Sequence, residues 1–185
     1  MPFDKTNACV IIPARYASSR FPGKPLTPLL GKPMISWVAE LSACAVGKQN
    51  VYVATDDERI ANTVAEAGFS SLMTSSNALT GTDRLAEAAR MIDYDVYINV
   101  QGDEPLVNPS DIKRCIEIKT EHPDWIVNGY CWMSSDEDHL NVNIPKLISN
   151  ESERLIYMSR APLPAFKNNK NAPQRFKKQI CIYGF

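Results

Sequence analysis

The sequence predicts a three-layer αβα domain built on a mostly parallel β-sheet. Short apolar runs alternate along the chain with longer segments of helical period, and residues typical of helix termini flank those segments. Strands separated by helices form β-α-β units, whose strands pair in parallel and whose helices cover both faces of the sheet. The carboxyl ends of such strands meet at one edge, so we expect the ligand site there.

The elements follow in order along the chain. We predict strands over residues 8–13, 51–54, 72–73 and 95–100, and helices over residues 34–45, 57–67, 82–91 and 109–120. The second helix should be capped by Asp56 or Asp57 and end at Gly68, where a left-handed residue is favoured. Beyond Pro123 the pattern changes to β segments over residues 125–133, 140–148 and 179–185, with a loop rich in Pro, Asn and Lys over residues 161–173.

We interpret residues 1–185 as one domain with a β-rich portion from about residue 125 onward. The chain ends at Phe185 on an apolar strand pattern without a polar tail. Because chain termini are usually exposed and polar, we expect a C-terminal truncation.

Composition excludes several classes of protein. The 185 residues are 44% hydrophobic and 22% charged, and 20 Lys and Arg against 21 Asp and Glu give a net charge of −1. That balance argues against a nucleic-acid partner. Five cysteines without a CxxC pair and only two histidines argue against structural zinc, and no apolar run is long enough for a signal peptide or a membrane span. We therefore expect a soluble cytoplasmic protein with reduced thiols.

The loop after the first predicted strand carries the strongest candidate chemistry. Residues 13–25 read PARYASSRFPGKP and contain three cations and two serine hydroxyls. Arginine forks, a lysine charge and backbone N–H groups suit a polyphosphate, although a solvated basic loop has the same composition. The segment is neither a P-loop nor a dinucleotide fingerprint, because Gly31-Lys32 precedes Pro33 and no GxGxxG exists.

Three further segments hold candidate site residues. Asp103, in QGDEP directly after a strand, suits Mg²⁺, which takes one or two carboxylates plus substrate phosphates; a simple turn is the alternative. Gly81 would allow close backbone approach at the start of a helix that Thr82 or Asp83 caps, and a helix cap alone is the alternative. Arg160 could bind a carboxylate or lie free on the surface. No Ser/His/Asp or Cys/His arrangement is present for nucleophilic catalysis.

Taken together, these segments resemble the CMP-KDO synthetases, the 3-deoxy-manno-octulosonate cytidylyltransferases. The matching stretches occur in order over nearly the whole chain, and the combination of PARYASSRFPGKP with QGDEP is highly specific for the family. They are residues 11–26, 31–35, 53–56, 81–84, 99–105 and 159–160.

The resemblance implies a nucleotide-diphospho-sugar transferase fold and a reaction in which CTP and KDO give CMP-KDO and pyrophosphate with Mg²⁺, for lipopolysaccharide biosynthesis. It also implies a homodimer and a β-rich portion that binds the sugar acid. The catalytic residues would be Arg15, Lys24 and Asp103, with Asp103 as the metal ligand. The nucleotide would contact Ala14, Arg15, Ser18, Ser19, Lys24, Met73, Gly81, Thr82, Arg84 and Asp103, and the sugar acid would contact Gln101, Arg160, Gln179 and Tyr183.

Two departures from the family pattern keep alternatives open. Gln179 stands where the family usually has a histidine, which favours a modified or amino-octulosonate as a second candidate substrate. The family also continues beyond this point, through a second metal-binding aspartate and a C-terminal helix. A nucleotide-binding module without catalysis is therefore the candidate from a different class.

Overall fold

The computed structural model describes residues 7–17, 21–168 and 173–185. Over these ranges the chain folds as two units. The first contains the residues up to Val127 together with Cys181–Phe185, and the second contains Asn128–Ile180.

A parallel sheet forms the centre of the first unit. Its four parallel strands lie in the order β5 (Ser70–Met73), β4 (Val51–Thr55), β1 (Ala8–Ala14) and β6 (Val96–Val100). The end of β10 (Lys177–Gly184) pairs antiparallel with β6, and a short hairpin joins β2 (Pro28–Leu29) to β3 (Lys32–Pro33). The helices are α1 (Met34–Val46), α2 (Glu58–Glu66), α3 (Gly81–Ala89) and α4 (Pro109–Glu121). The prediction of a mostly parallel α/β fold is confirmed.

The core lies on both faces of β1, all of whose residues are buried. This is typical of a central parallel strand with helices on either side. Cys9 and Ile11 pack with Leu85 and Ala88 of α3. The alternate residue Ile12 points the other way, toward the face that α1 covers, since side chains alternate along a strand. Burial raises the pKa of the Cys9 thiol to about 12.

Helix starts agree closely with the sequence signals. Asp57 caps α2 by accepting a hydrogen bond from the Arg59 N–H, and Asn108 caps α4 in the same way from Ser110. The prediction that Thr82 or Asp83 caps α3 is wrong: Thr80 is the N-cap, and the helix begins one residue earlier than predicted because Thr80 and Asp83 form a reciprocal capping box. No helix in the part of the chain that the structure describes is long and apolar enough to cross a membrane.

The second unit consists of β strands and loops. It contains β7 (Val127–Trp132) apart from Val127, β8 (Lys146–Ser149), β9 (Leu155–Ser159) and the start of β10. Strand β8 pairs antiparallel with β9 and with Lys177 and Lys178 of β10.

The prediction of a β segment over residues 140–148 is wrong for its first six residues. Asp138 and Asn141 accept hydrogen bonds from backbone N–H groups two residues ahead, and these Asx turns compete with strand pairing. Strand β9 was not predicted. Four of its five residues are exposed, so its sequence lacks the alternation that signals a half-buried strand.

Candidate nucleotide-binding site

The carboxyl ends of β1 and β6 and the first turn of α3 surround a cavity of about 510 Å³ in the first unit. Seven residues that the sequence predicted for the site line it: Ala14, Arg15, Lys24, Gly81, Arg84, Gln101 and Asp103. The cavity lies at the edge where parallel α/β sheets bind ligands.

Two glycines allow the loops to meet around the buried Pro13 at the end of β1. A Cβ at Gly102 would lie 2.9 Å from the Pro13 carbonyl oxygen, closer than real Cβ contacts come. A Cβ at Gly81 would lie 3.3 Å from Pro13 Cγ and 3.5 Å from the Gln101 amide. The loop after β6 can therefore approach β1 only because residue 102 lacks a side chain, and the start of α3 packs more easily against Pro13 because residue 81 lacks one.

Lys24 and Asp103 form an ion pair inside this cavity. Lys24 Nζ donates to Asp103 Oδ2 at 2.7 Å, and the two side chains are 41% and 50% exposed. Lys24 begins a single turn of 3₁₀ helix, Lys24–Leu26, anchored by the buried Pro25. Arg15 is exposed at the end of β1. Two predicted phosphate-binding cations and the predicted metal-binding carboxylate therefore line one cavity.

The loop between Arg15 and Lys24 is closed at its base. The Gly23 N–H, at φ 72°, donates to the Tyr16 carbonyl oxygen at 2.9 Å. The Tyr16 ring lies against Gly23 on one side, and the Arg59 guanidinium lies 3.4 Å from the ring centroid. Arg59 is held in turn by two side-chain hydrogen bonds to Asp57, which lower the pKa of that carboxyl. Ser18 and Ser19, both predicted to bind nucleotide, lie outside the described residues.

Arg84 has a different environment from the other predicted nucleotide ligands. Its guanidinium is almost fully buried and donates to Thr74 Oγ1 at 2.5 Å and to Asp56 Oδ2 at 3.0 Å. Of the other two residues predicted near the base, Met73 is partly exposed at the end of β5, and Thr82 is exposed in the first turn of α3.

The predicted sugar-acid residues are divided between the two units. Gln101 and Tyr183 belong to the first unit, where Tyr183 pairs with Asn99 across β10 and β6. Arg160 and Gln179 belong to the second unit. There the Arg160 guanidinium donates to the carbonyl oxygens of Val142 and Asn143. Their contact with a sugar acid stays a prediction.

A buried lysine fixes the backbone at Arg160. Lys146 is fully buried, and its Nζ donates to the carbonyl oxygens of Asn141 and Arg160, both at 2.8 Å. Burial lowers the pKa of Lys146. The sequence carried little sign of this contact, since the lysine lies in a predicted strand.

Sequence reasoning also missed Asn99. Its side chain is fully buried in β6, and among the described residues neither its amide nitrogen nor its oxygen has a hydrogen-bond partner. A buried unpaired amide is costly and requires an explanation. The signal was an asparagine inside the apolar run DVYINV, two residues before Gln101.

The fold and this cavity together define a nucleotidyltransferase, in which phosphate-attracting cations and a carboxylate meet at the carboxyl edge of a parallel sheet. Residues 9–185 match the sequence model of the cytidylyltransferase family. The chain belongs to that family.

Individual relatives agree with this assignment. The chain is 37% identical over 180 residues to the 3-deoxy-manno-octulosonate cytidylyltransferase of Escherichia coli, covering 97% of this chain and 72% of that one. It is 40% identical over 187 residues to the 8-amino-3,8-dideoxy-manno-octulosonate cytidylyltransferase of Shewanella sp. strain ANA-3, covering 97% and 74%. A solved structure of CMP:2-keto-3-deoxy-manno-octonic acid synthetase complexed with CTP superposes with a TM-score of 0.88 at 36% identity, again over 97% and 74%.

Proposed function

We propose that this cytidylyltransferase activates 3-deoxy-manno-octulosonate with CTP, giving CMP-KDO and pyrophosphate for lipopolysaccharide biosynthesis. The observation that carries the proposal is the cavity in which Arg15, Lys24 and Asp103 meet beside Gly81. The names of the relatives support the choice of CTP and of an octulosonate.

The residues of the cavity suit an in-line attack of the sugar hydroxyl on the α-phosphorus, with pyrophosphate as the leaving group. Negative charge grows on the bridging and equatorial phosphate oxygens during that step. Arg15, just after β1, and Lys24, at the start of the 3₁₀ turn, offer positive charge to the phosphates, and one such donor is worth roughly 3–4 kcal/mol in related charge-stabilising sites. The first turn of α3 adds the positive end of a helix dipole at Gly81.

The donor set around Asp103 fits one Mg²⁺ ion that is shared with a triphosphate. Among the described residues no three His, Cys, Asp or Glu side chains cluster as a metal site, and Asp103 supplies a single, half-exposed carboxylate. Mg²⁺ commonly binds one or two carboxylates and completes its shell with substrate phosphates and water. When bound, it would neutralise phosphate charge and favour ionisation of the attacking hydroxyl. Lys24, now paired with Asp103, would then be released to contact phosphate.

The amino-octulosonate is the second candidate substrate. By its resemblance to the octulosonate family, the sequence has Gln179 at the position of a usual histidine. The Shewanella relative that is named for the 8-amino sugar is 40% identical to this chain. An amide donates and accepts hydrogen bonds but carries no positive charge. Gln179 would therefore tolerate an ammonium group on the sugar better than a cationic histidine would.

A homodimer would use the exposed strand β9. Its side chains Leu155, Ile156, Tyr157 and Met158 are 37–64% exposed on both faces of the strand, and β8 is its single strand partner in the described part of the chain. Unpaired edges of this kind invite strand pairing, and a two-fold axis lets one edge meet its own copy. Light scattering after size-exclusion chromatography tests this: Ile156→Lys should convert a dimer to a monomer, whereas a monomeric parent would contradict it.

The five free cysteines favour a cytoplasmic location.

Pyrophosphate release tests the reaction. The purified chain is assayed with ATP, GTP, CTP and UTP against KDO, 8-amino-KDO and a sialic acid, with and without Mg²⁺. We expect release with CTP, Mg²⁺ and one of the two octulosonates. CTP binding without release from any sugar would favour the non-catalytic alternative, and release from 8-amino-KDO alone would select the second candidate.

A further inference from the structure

Residues 75–80, which we call the strap, connect β5 with α3, and the last three of them form part of the cavity wall. Ala78, Leu79 and Thr80 line the cavity, and the Leu79 side chain is 85% exposed. The strap is short and contains no regular secondary structure, so its position depends on what holds it.

Two acidic side chains of α3 hold the ends of the strap. Glu87 Oε2 accepts a hydrogen bond from the Ser75 N–H at 2.7 Å. Asp83 Oδ2 accepts from the Thr80 N–H at 2.9 Å and from the Thr80 hydroxyl at 2.8 Å. Residues four apart lie on one face of a helix, so Asp83 and Glu87 bind both ends of the strap from the same side.

Arg84 fixes the residue that precedes the strap. Its guanidinium bridges Thr74 Oγ1 and Asp56 Oδ2, and the Thr74 N–H donates to the Thr55 carbonyl oxygen at 2.8 Å. Thr74 is therefore tied to α3 through Arg84 and to the end of β4 through its own backbone. A planar fork suits this task, because it holds two acceptors in a fixed relative position.

We propose that Arg84 is a positioning residue for base selection, which acts on the nucleotide through Thr74 and the strap rather than as a ligand of its own. The inference rests on the proposed function and adds the part of the site that distinguishes CTP from UTP. Cytosine and uracil have the same size and differ only in their polar edge. A site distinguishes the two bases only if its hydrogen-bond donors and acceptors are fixed in position. Asp83, Arg84 and Glu87 of α3 fix the strap and the residue before it.

Thr74→Val tests the proposal because it removes one acceptor of Arg84 and keeps the shape of the side chain. We expect the Kd and KM for CTP to rise about 10-fold, the scale of one hydrogen bond. The CTP preference over UTP in kcat/KM should fall by a similar factor, while kcat at saturating CTP stays within about threefold. Amide hydrogen exchange at Ser75 and Thr80 should become faster. Arg84→Lys should behave like Thr74→Val, because a lysine cannot bridge both partners.

Thr120→Val is the control for the same chemical substitution at a site outside the cavity. Its hydroxyl donates to the Ile116 carbonyl oxygen within α4, so the variant loses a threonine hydrogen bond away from the cavity. A role limited to fold stability would lower the melting temperature of Thr74→Val but leave its Kd for CTP and its CTP preference at the control's values. That result would overturn the inference and leave the proposed function standing. A parent protein that binds neither CTP nor UTP would overturn the proposed function and the role of the strap in base selection together.

Discussion

Two ion pairs contribute side chains to the lining of the same cavity, Lys24 and Asp103 from the first and Arg84 from the second, and the pairs differ in their exposure to water. Lys24 and Asp103 are 41% and 50% exposed, whereas Arg84 and Asp56 are 4% and 17% exposed. An exposed pair contributes about 0–1 kcal/mol to stability and exchanges partners readily. A buried pair loses much more when one partner is removed, because the other charge is left without compensation. The exposed pair is therefore suited to contact substrate, and the buried pair is suited to stabilise the position of the residues around it.

The largest effect on activity is expected at the carboxylate of the exposed pair. Asp103→Asn should lower turnover by about 10³-fold or more, because it removes a metal ligand and a charge from the reacting centre. Its circular dichroism and melting temperature should match the parent's. Turnover within tenfold of the parent at saturating Mg²⁺ would show that Asp103 is not a ligand.

Removing one cation from each pair tests the comparison directly. Arg84→Met should lower the free energy of unfolding by roughly 3 kcal/mol, since it leaves the Asp56 carboxylate unpaired and largely buried. Lys24→Met should lower it by less than about 1 kcal/mol. Urea denaturation of both variants measures the difference, and equal losses would contradict the distinction.

Arg15 and Lys24, the two cations predicted to bind phosphate, should have a smaller effect on turnover than Asp103. Arg15→Ala and Lys24→Ala should each slow turnover by about 10²-fold, the scale of one lost transition-state donor. Arg15→Lys keeps the charge and loses the fork, so it should recover only part of the loss if Arg15 binds phosphate through two nitrogens. Full recovery in steady-state kinetics would indicate that bulk charge alone matters there.

The smallest effect is expected at Gly81. In Gly81→Val the added Cβ would press on Pro13 Cγ at 3.3 Å, whereas its 3.5 Å distance to the Gln101 amide is an ordinary contact. Affinity for CTP should fall by roughly 10-fold, the scale of 1–2 kcal/mol of overpacking. The Kd for the sugar acid should change less. Calorimetric titration with each ligand checks this, and a variant that loses sugar-acid affinity instead would place the nucleotide elsewhere.

The sequence predicts the first unit well and the second unit poorly, for physical reasons. Strand β1 is a continuous apolar run because both its faces are buried, and Asp57 and Asn108 carry their capping signals locally. In the second unit, β9 is exposed, and Asx turns at Asp138 and Asn141 interrupt an apolar segment. Those outcomes depend on contacts that a local pattern does not contain.

Some features of the candidate site could likewise be predicted from local sequence, whereas others depend on contacts between distant residues. Arg15, Lys24 and Asp103 could be predicted because they follow strands whose ends must meet. The burial of Arg84 and its bonds to Thr74 and Asp56 could not, since these residues are far apart in the chain and nothing in their local sequence marks them as partners. The contact of the Arg59 guanidinium, in α2, with the Tyr16 ring, in the loop after β1, likewise joins residues that are far apart in the chain.

The close approach at Gly102 limits how this pocket can be redesigned. Any side chain there would displace the Pro13 carbonyl, and with it the strand end that carries Arg15 two residues later. The same substitution would move the neighbouring Asp103. Opposite walls of the pocket are thus mechanically linked, and substitutions on the two loops should combine non-additively, as neighbouring sites do. Changing the substrate specificity would therefore require substitutions in both loops together, because a substitution in one loop alone shifts the other.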